Sequence, residues 1–497
     1  MSDLIANPEV KSRYGLLING EEVFGEGEMM PVFDPSTGLQ VSEVVIAGEN
    51  EIDLAVSASK HAFNQWRSLS MAERGGYLRR LATAVRDNSE RLAAIDSLDS
   101  GNPYSAMLRD LAYGADSLDY FAGIARELSG RTLPASSEGV HSTLLEPYGV
   151  VARIIPFNHP LMFSLYHIAA PLIAGNTVVL KAPDQTPISP LEFGRIAAGI
   201  LPPGVLSVVT GTGKITGEAL VAHRDIRRIG FTGRRETGLR VIEAAAQSGI
   251  LKNVTVELGG KNPMIVFPDA NPEFVAEQAI AAMNFESSQG QSCGSTSRLL
   301  VHESLKSKVV EALVARMSNI RLGHALGTET TMGPLVSEAQ ADRVRGFIGV
   351  GIQDDKSRLV FGGGIPESCK RLGGYFVEPT LFDNVSRDSI LAREEIFGPV
   401  LSVLTWTNRE DVIAMANETE YGLTANIITD NYSWAIDTAL KMEAGCVWIN
   451  GRGQHYLDTP FGGYKDSGLG AEGSMDSLRS YARTKALHML GIIPKNL

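Results

Sequence analysis

The fold is decided by residues 177–209, which read TVVLKAPDQTPISPLEFGRIAAGILPPGVLSVV. The runs 177–180 and 205–209 are short, apolar and rich in β-branched residues, which predicts two buried strands. Between them, residues 190–200 have the length and apolar spacing of a helix. A strand, a helix and a second strand in this order indicate a parallel sheet with a crossover helix.

The same alternation extends outward on both sides of this segment. Further strands are predicted at 151–155, 229–232 and 254–258, with a helix from 217 and helices through 51–129. This pattern is typical of a nucleotide-binding α/β domain. Beyond Gly260 the alternation resumes and predicts a second α/β unit. The apolar stretch 486–493 is predicted to pair with the strand near Thr143 or with the sheet edge of another subunit.

Length, charge and cysteine content exclude several classes of protein. A chain of 497 residues exceeds the usual size of a single core, and its net charge of −12 argues against a nucleic-acid partner. Its three cysteines lack zinc-site spacing, and we expect a reducing, cytoplasmic location. We expect no secretory signal, because the first 20 residues contain charges and no apolar run. The most apolar region, 149–180, is broken by prolines and histidines, so we expect no membrane span.

Three segments contain residues that can take part in chemistry. Cys293 lies in the glycine-rich loop SSQGQSCG, where a thiolate can be exposed, although a single cysteine is also explained as a small buried hydrophobe. We adopt that second interpretation for Cys369 and Cys446. Glu257 ends an apolar strand before two glycines and is either a general base with a raised pKa or a surface carboxylate. Asn158 lies between two prolines and is either an oxyanion donor or a turn residue.

The chain resembles the aldehyde dehydrogenase superfamily, in its hydrolytic, non-acylating branch. Motifs similar to those of the family occur, in family order, at 156–160 (PFNHP), 257–261 (ELGGK), 290–293 (GQSC), 394–399 (EEIFGP) and 460–468 (PFGGYKDSG). The resemblance implies an NAD(P)-dependent enzyme that oxidises an aldehyde to a carboxylic acid. Cys293 would attack the aldehyde, Asn158 and the Cys293 backbone N–H would hold the oxyanion, and Glu257 would activate the water that cleaves the thioester.

A proton relay is also implied by the resemblance. Many members have a lysine where this chain has His167, and that lysine is thought to relay protons with a glutamate that matches Glu472. Histidine titrates nearer neutral pH, so we hypothesise a relay between His167 and Glu472. The alternative is that His167 only packs in the core.

The resemblance further implies a cofactor site. Its residues would be Ile155, Pro156, Phe157, Lys181, Asp184, Gly211, Gly213, Gly217, Phe231, Thr232, Gly233, Arg234, Leu258, Gly259, Glu395 and Phe397. Asp184 would repel a 2′-phosphate, which favours NAD over NADP. Against this, Arg234 replaces a small hydroxyl residue of the family. Together with Arg235 it either adds positive charge that tolerates NADP or points to solvent.

The resemblance also implies a substrate pocket. By family position the tunnel to Cys293 would be lined by Tyr113, His159, Met162, Phe163, Tyr166, Ser292, Arg452, His455 and Phe461. The aromatic members favour an aromatic or medium-sized aldehyde. A semialdehyde with a carboxylate that pairs with Arg452, His167 or His455 is the alternative.

Two rival functions and the implied architecture complete the prediction. A CoA-acylating enzyme is disfavoured because such enzymes generally lack the carboxylate at Glu257, and a binding protein without chemistry is disfavoured by the intact site residues. The resemblance implies an α/β fold with a Rossmann-like cofactor domain, an α/β catalytic domain and a small β-extension for oligomerisation. The predicted ranges are 1–127 with 148–258, 259–482, and 128–147 with 483–497, respectively. A homodimer or homotetramer is expected.

Overall fold

The computed structural model describes residues 4–134 and 139–490. In chain order the strands are β1 (Arg13–Tyr14), β2 (Leu16–Ile18), β3 (Glu21–Val23), β4 (Met29–Phe33), β5 (Gln40–Val45), β6 (Gly139–Pro147), β7 (Val150–Ile154), β8 (Thr177–Lys181), β9 (Leu206–Val209), β10 (Ile226–Thr232), β11 (Asn253–Glu257), β12 (Pro263–Val266), β13 (Arg298–His302), β14 (Arg358–Phe361), β15 (Thr380–Asp383), β16 (Val400–Trp406), β17 (Tyr421–Gly422), β18 (Thr424–Ile428), β19 (Cys446–Ile449), β20 (Tyr464–Lys465), β21 (Gly468–Leu469) and β22 (Ala482–Leu490).

The helices alternate with these strands over most of the chain. They are α1 (Glu49–Ser68), α2 (Met71–Asp87), α3 (Ser89–Ser100), α4 (Tyr104–Ile124), α5 (Pro160–Ile173), α6 (Ile188–Ala198), α7 (Glu218–Ala222), α8 (Arg235–Gln247), α9 (Pro272–Ala282), α10 (Phe285–Ser288), α11 (Lys306–Met317), α12 (Glu338–Gln353), α13 (Glu367–Lys370), α14 (Ile390–Arg393), α15 (Arg409–Asn417), α16 (Tyr432–Lys441) and α17 (Met475–Ser480). A 3₁₀ turn (Ala125–Glu127) follows α4, and a π-helical turn (Gly213–Gly217) precedes α7.

The first sheet contains the predicted parallel strands. Its order is β21-β11-β10-β7-β8-β9-β2-β3. Strands β7 to β11 run parallel to one another. At the edges, β2 pairs antiparallel with β9 and with β3, and β21 pairs antiparallel with β11. The central strands β7, β8 and β9 are buried along their whole length, as expected where helices cover both faces. The chain moves one way from β7 to β9 and then crosses back to place β10 on the other side of β7. This reversal creates a crevice at the carboxyl ends of β7 and β10, where α/β sheets bind ligands.

The second sheet has the order β14-β15-β16-β13-β12-β18-β19 and is parallel except at β14. It forms the α/β unit that was predicted beyond Gly260. The short strand β21 comes from the C-terminal part of the chain but pairs with β11 of the first sheet, so the two units interlock. Among the described helices, none is long and apolar enough to cross a membrane.

A two-stranded ribbon stands apart from both sheets. Strands β6 and β22 pair antiparallel over nine residues each, with Ala486 opposite Thr143. The C-terminal strand therefore pairs with the strand near Thr143 of its own chain, the first of the two pairings considered above. Residues 135–138 and 491–497 of the predicted extension lie outside the described residues.

Five strands precede α1, and hydropathy did not predict them. Each is only two to six residues long, which is too short for a periodic signal to develop. Strand β2 pairs with β9 and extends the first sheet, while β1, β4 and β5 form a separate sheet. These strands cover the far edge of the parallel sheet, away from the crevice.

Candidate active site

A cavity of about 1120 Å³ opens between the two sheets, at the carboxyl ends of the parallel strands of the first. One wall follows β7, β8, β10 and β11 and includes Asn158, Lys181 and Glu257. The other wall includes Cys293 and Glu395, from the second unit. The crevice expected from the strand order therefore contains Cys293, Asn158 and Glu257, which are three of the five residues predicted for catalysis, whereas His167 and Glu472 do not line it.

The backbone of the cysteine loop is fixed by an asparagine and two left-handed residues. Gln289 and Gly290 have φ values of 54° and 72°, and a Cβ at Gly290 would collide with the carbonyl of Gly398. The side-chain amide of Asn262 donates to the carbonyl oxygens of Cys293 (2.7 Å) and Ser295 (2.9 Å). These contacts hold the Cys293 thiol against the cavity.

Asn158 is mounted rigidly at the end of β7. Its backbone carbonyl accepts a 2.8 Å hydrogen bond from the Asn102 side chain, and the next residue, His159, is the N-cap of α5. The side chain is only 3% exposed, and its Oδ1 has no hydrogen-bond partner among the described residues. A buried amide that lines a cavity without a protein partner is suited to bind a polar group of a ligand.

Glu257 is the last residue of β11 and lies beside the cysteine. It is 9% exposed, and burial is the main cause that raises its pKa to about 8. Burial and the neighbouring Glu257 carboxyl raise the pKa of the Cys293 thiol well above its ordinary value. A negative charge on either group therefore disfavours ionisation of the other. The site favours a neutral thiol next to a carboxyl that titrates near neutral pH.

Glu395 closes the cavity opposite β11. Its Oε1 accepts a 2.9 Å hydrogen bond from the backbone N–H of Gly260, and burial raises its pKa to about 7. A Cβ at Gly259 would collide with the Glu395 carboxyl, so this close approach requires glycine. Phe397 has a left-handed φ of 56°, and its ring contacts Phe157 at 5.7 Å between centroids.

Lys181 and Asp184 lie at the other end of the cavity. The Lys181 ammonium is buried and lies 3.4 Å from Asp184, whose side chain is 40% exposed at the rim. Gly213 and Gly217 also line the cavity, and a Cβ on either would meet no atom within 4 Å. An ammonium, a rim carboxylate and a bare glycine turn fit the ribose and phosphate groups of a dinucleotide. Gly211 does not line the cavity but packs against Thr216.

The two adjacent arginines behave differently. Arg234 lines the cavity, although its side chain is exposed, and it donates a 2.7 Å hydrogen bond to Gln340 across the cleft. Gln340 in turn donates to the carbonyl of Phe397 at 2.7 Å. Arg235 turns away and pairs with Asp466 at 2.6 Å. The cavity residues Gln340 and Arg343 were not predicted, and the predicted Leu258 packs on Gly238 and does not line it.

The predicted relay residues lie behind the catalytic groups, with an unpredicted arginine. His167 Nδ1 lies 4.0 Å from Glu472 Oε1, and that oxygen accepts a 2.8 Å hydrogen bond from Arg153, which is 1% exposed. Burial, and then the charge of Arg153, lower the pKa of His167 well below its ordinary value. Arg153 occupies space that a side chain at Gly230 would fill. The signal for Arg153 was present in the sequence, because it is the only charged residue within the buried strand VVARI.

The predicted substrate residues form two groups. Tyr113, Tyr166, His167 and Phe163 form consecutive ring contacts of 5.9, 5.2 and 5.1 Å, and Phe163 lines the cavity. In the second group, the rings of His455 and Phe461 lie 4.4 Å apart between centroids, and Arg452 of the same segment is exposed. Ser292 belongs to neither group and directly precedes Cys293.

Of the two cysteines predicted to be buried hydrophobes, Cys369 is buried. Cys446 is partly exposed, so that prediction was wrong for it. Cys446 is the first residue of β19, and its thiol faces the carbonyl of Pro460 in the loop before β20.

Comparisons with known proteins agree with this geometry. The model of the aldehyde dehydrogenase family matches residues 23–487. Aldehyde dehydrogenase tropH of Talaromyces stipitatus is 40% identical over 463 residues, which cover 92% of this chain and 89% of that protein. Hydroxyisobutyraldehyde dehydrogenase of Mycolicibacterium austroafricanum is 40% identical over 474 residues, covering 95% and 92%. The NAD⁺ complex of an aldehyde dehydrogenase from Bacillus cereus superposes with a TM-score of 0.93 at 36% identity, covering 98% and 100%.

Proposed function

This chain belongs to the aldehyde dehydrogenase family, and on that premise we propose that it oxidises an aldehyde to a carboxylic acid through a thioester on Cys293. The observation that carries the proposal is the meeting of Cys293, Asn158 and Glu257 at one cavity, although they come from three distant segments. Oxidation of an aldehyde through a thioester requires a nucleophile, an oxyanion donor and a base around one carbon atom.

The first stage forms the bond between sulfur and carbon. Glu257 accepts the thiol proton as Cys293 Sγ attacks the aldehyde carbon, so that the nucleophile is charged only while it reacts. The side-chain amide of Asn158 and the backbone N–H of Cys293 donate to the oxygen that becomes negative. NAD, when bound along the cleft, supplies the acceptor for the hydride that leaves the aldehyde carbon. A thioester on Cys293 remains.

The second stage is hydrolysis of the thioester. Glu257 returns to its ionised form and takes a proton from water, whose oxygen attacks the thioester carbon. The bond to Sγ breaks, the acid leaves, and Cys293 regains a proton. The raised pKa of Glu257 suits both stages, because the group must accept and release a proton near neutral pH. A CoA-acylating reaction would not need a base that activates water in this second stage.

We propose that the proton held by Glu257 reaches solvent by way of His167 and Glu472. The neutral His167 has an Nδ1 with no hydrogen-bond partner among the described residues, and its Nε2 lies 3.3 Å from Thr232 Oγ1. Arg153 holds Glu472 in place. His167 is neutral, so the buried positive charge beside Glu472 is that of Arg153 and not that of the residue at position 167. If His167→Ala leaves the pH profile of kcat unchanged, His167 is only a packing residue.

Several residues of the cavity support a preference for NAD over NADP. Asp184 at the rim and Lys181 beside it would bind the adenosine ribose, and Glu395 would bind the nicotinamide ribose, with Phe397 beside it. The remaining predicted residues lining the cavity would contact the rest of the dinucleotide. A higher kcat/KM with NADP than with NAD would contradict this preference.

The substrate is proposed to be an aromatic or medium-sized aldehyde. The ring contacts from Tyr113 to Phe163 support a flat substrate. A semialdehyde remains the second candidate, because Arg452 and His455 are exposed on the loop that faces Phe461.

The wider organisation is proposed as well. We assign 1–127 with 148–258 to cofactor binding, 259–482 to catalysis, and 128–147 with 483–497 to oligomerisation. Exposed Leu144, Leu487 and Leu490 on the ribbon support a homodimer or homotetramer. The location we propose is the cytoplasm, from the low cysteine content. Light scattering on the eluted protein measures the oligomeric state.

The decisive experiment measures NADH formation by the purified protein with aromatic, aliphatic and carboxylate-bearing aldehydes. We expect turnover with at least one class and none with Cys293→Ala. The conservative control is Cys369→Ala, because that buried thiol lies away from the cavity. Absence of NADH formation over the whole panel would contradict the proposed function.

A further inference from the structure

His159 and Asp110 form a hydrogen-bonded pair that no proposed step uses. Nδ1 of His159 lies 2.6 Å from Oδ2 of Asp110, and the two side chains are 12% and 16% exposed. His159 is the first residue of the turn that begins α5 and directly follows Asn158. The pair therefore stands next to the amide proposed to bind the oxyanion.

The pairing leaves a second donor free. Because Nδ1 faces the carboxylate, Nε2 lies on the opposite edge of the ring, and it has no hydrogen-bond partner among the described residues. Burial opposes the charge, but Asp110 and the buried Asp96 outweigh it and raise the pKa of His159. The raised pKa favours the imidazolium form, in which each ring nitrogen carries a donor N–H.

The ring of His159 contacts the wall of the proposed substrate pocket, although His159 is not itself among the residues that line the cavity. The His159 ring meets Phe163 edge-to-face at 6.0 Å, and Phe163 lines the cavity that contains Cys293. From Phe163 the ring contacts continue through His167 and Tyr166. The charges of His159 and Asp110 also act on His455.

We propose that the His159–Asp110 pair binds an oxygen atom of the substrate other than the aldehyde oxygen, with Nε2–H of His159 as the donor. This inference rests on the proposed function and narrows its substrate class to planar aldehydes that carry a second oxygen group, either a hydroxyl or a carboxylate. The plane of the substrate lies along Phe163, and the aldehyde carbon lies at Cys293.

Charge and hydrogen bonding both support this class. Asp110 largely balances the charge of His159, so the pair recognises an acceptor atom and does not simply attract anions. An apolar substituent at this place would leave the N–H without a partner and without water. Sites that hydrogen-bond a substrate oxygen discriminate strongly against analogues that lack it, and we expect about a tenfold to hundredfold preference here.

The test compares three aldehydes of similar shape: 4-methylbenzaldehyde, 4-hydroxybenzaldehyde and 4-formylbenzoate. We expect kcat/KM of the wild type to be at least about tenfold higher for one or both oxygen-bearing compounds than for the methyl compound, mainly through KM. The two oxygen-bearing compounds distinguish a neutral from a charged acceptor. His159→Phe should reduce the preference to about one while oxidation of 4-methylbenzaldehyde continues. The matched control, His302→Asn, changes a histidine of the second sheet and should keep the preference.

The pH dependence separates recognition from a merely structural role. As pH rises through the raised pKa of His159, the proton at Nε2 is lost, so the preference should fall with rising pH in the wild type. The charged and titratable groups that act on His159 are Asp110, Asp96 and His455, and Asp110→Asn should move this decline to lower pH.

The refuting results are distinct from failure of the proposed function. A wild type that oxidises all three compounds equally, or a His159→Phe variant that keeps the preference, would overturn the inference alone. Calorimetric binding of the three compounds to Cys293→Ala measures the same preference without turnover. If the wild type oxidised no aldehyde, the proposed function would fail, whereas these binding data would still decide the role of His159.

Discussion

Replacement of Glu257 by Gln removes the proposed base while keeping the shape of a buried side chain. In the wild type the base is a carboxyl with a pKa of about 8. Only about one molecule in ten is then ionised at pH 7, and about nine in ten at pH 9, from the ordinary titration of a single group. We therefore expect the rate of thioester hydrolysis to rise roughly tenfold between these two pH values.

The variant should behave differently at each stage of the reaction. General-base catalysis is worth about 10² to 10⁴ in rate, so kcat of Glu257→Gln should fall by that factor and lose its dependence on pH in this range. Slow proton transfer from Cys293 would also slow thioester formation, which rapid mixing separates from hydrolysis. A burst of NADH of about one per subunit followed by slow turnover indicates that hydrolysis has become limiting.

Stability gives an independent measure of the same pKa. A buried carboxyl with a raised pKa keeps its proton in the folded state at pH values where the unfolded chain has lost it. Stability therefore falls as pH rises from about 4.5 to about 8, by on the order of a few kcal/mol. Glu257→Gln should melt at the same temperature as the wild type at pH 4 and at a higher temperature at pH 9.

Two results would refute this reasoning. A wild-type rate of hydrolysis that is flat from pH 6.5 to 9, about the range of the expected titration, would mean that Glu257 is already ionised at neutral pH. A Glu257→Gln variant with an unchanged single-turnover hydrolysis rate would mean that another group activates water. The control variant is Glu378→Gln, which changes a carboxylate remote from the cavity.

Three further outcomes are expected. Asn158→Ala should lower kcat/KM by about 10² to 10³ while leaving NADH binding, followed by fluorescence, unchanged. Arg153→Met should destabilise the fold by roughly 3–5 kcal/mol in urea unfolding, because Glu472 keeps a buried charge, and adding Glu472→Gln should restore most of the loss. If the double variant is no more stable than the single one, the ion pair is not the cause. Asp184→Ser should lower KM for NADP more than for NAD, and equal changes for both would contradict the ribose contact.

Most of the long parallel strands that are buried on both faces were predictable, although the buried strands β2 and β15 were not. The runs TVVL and VLSVV are continuous apolar segments, and they became β8 and β9 in the interior of the first sheet. The strands before α1 were missed because each has only two to six residues. Strand β21 was missed for another reason: it has two residues, and its pairing with β11 depends on a contact between distant parts of the chain.

The catalytic residues were predictable because each occupies a motif. Cys293, Asn158 and Glu257 are marked by glycines or prolines that shape their loops, and this local signal survives in the sequence. Arg153 has no such signal beyond its charge, since its partner Glu472 lies 319 residues away. The same holds for Asp110, whose pairing with His159 spans 49 residues and two helices. Contacts between side chains of distant segments are decided by tertiary packing, which a single sequence does not encode locally.

Arg153 and Gly230 share one volume, and this limits the order in which sequences of this kind can change. An arginine placed in β7 of a relative that has any side chain at the position of Gly230 would collide with it, whereas the glycine alone leaves a tolerable gap. Along any stepwise mutational path the glycine must therefore come first. Chimeras that join β7 of this chain to β10 of another should express only when the donor of β10 also has glycine there.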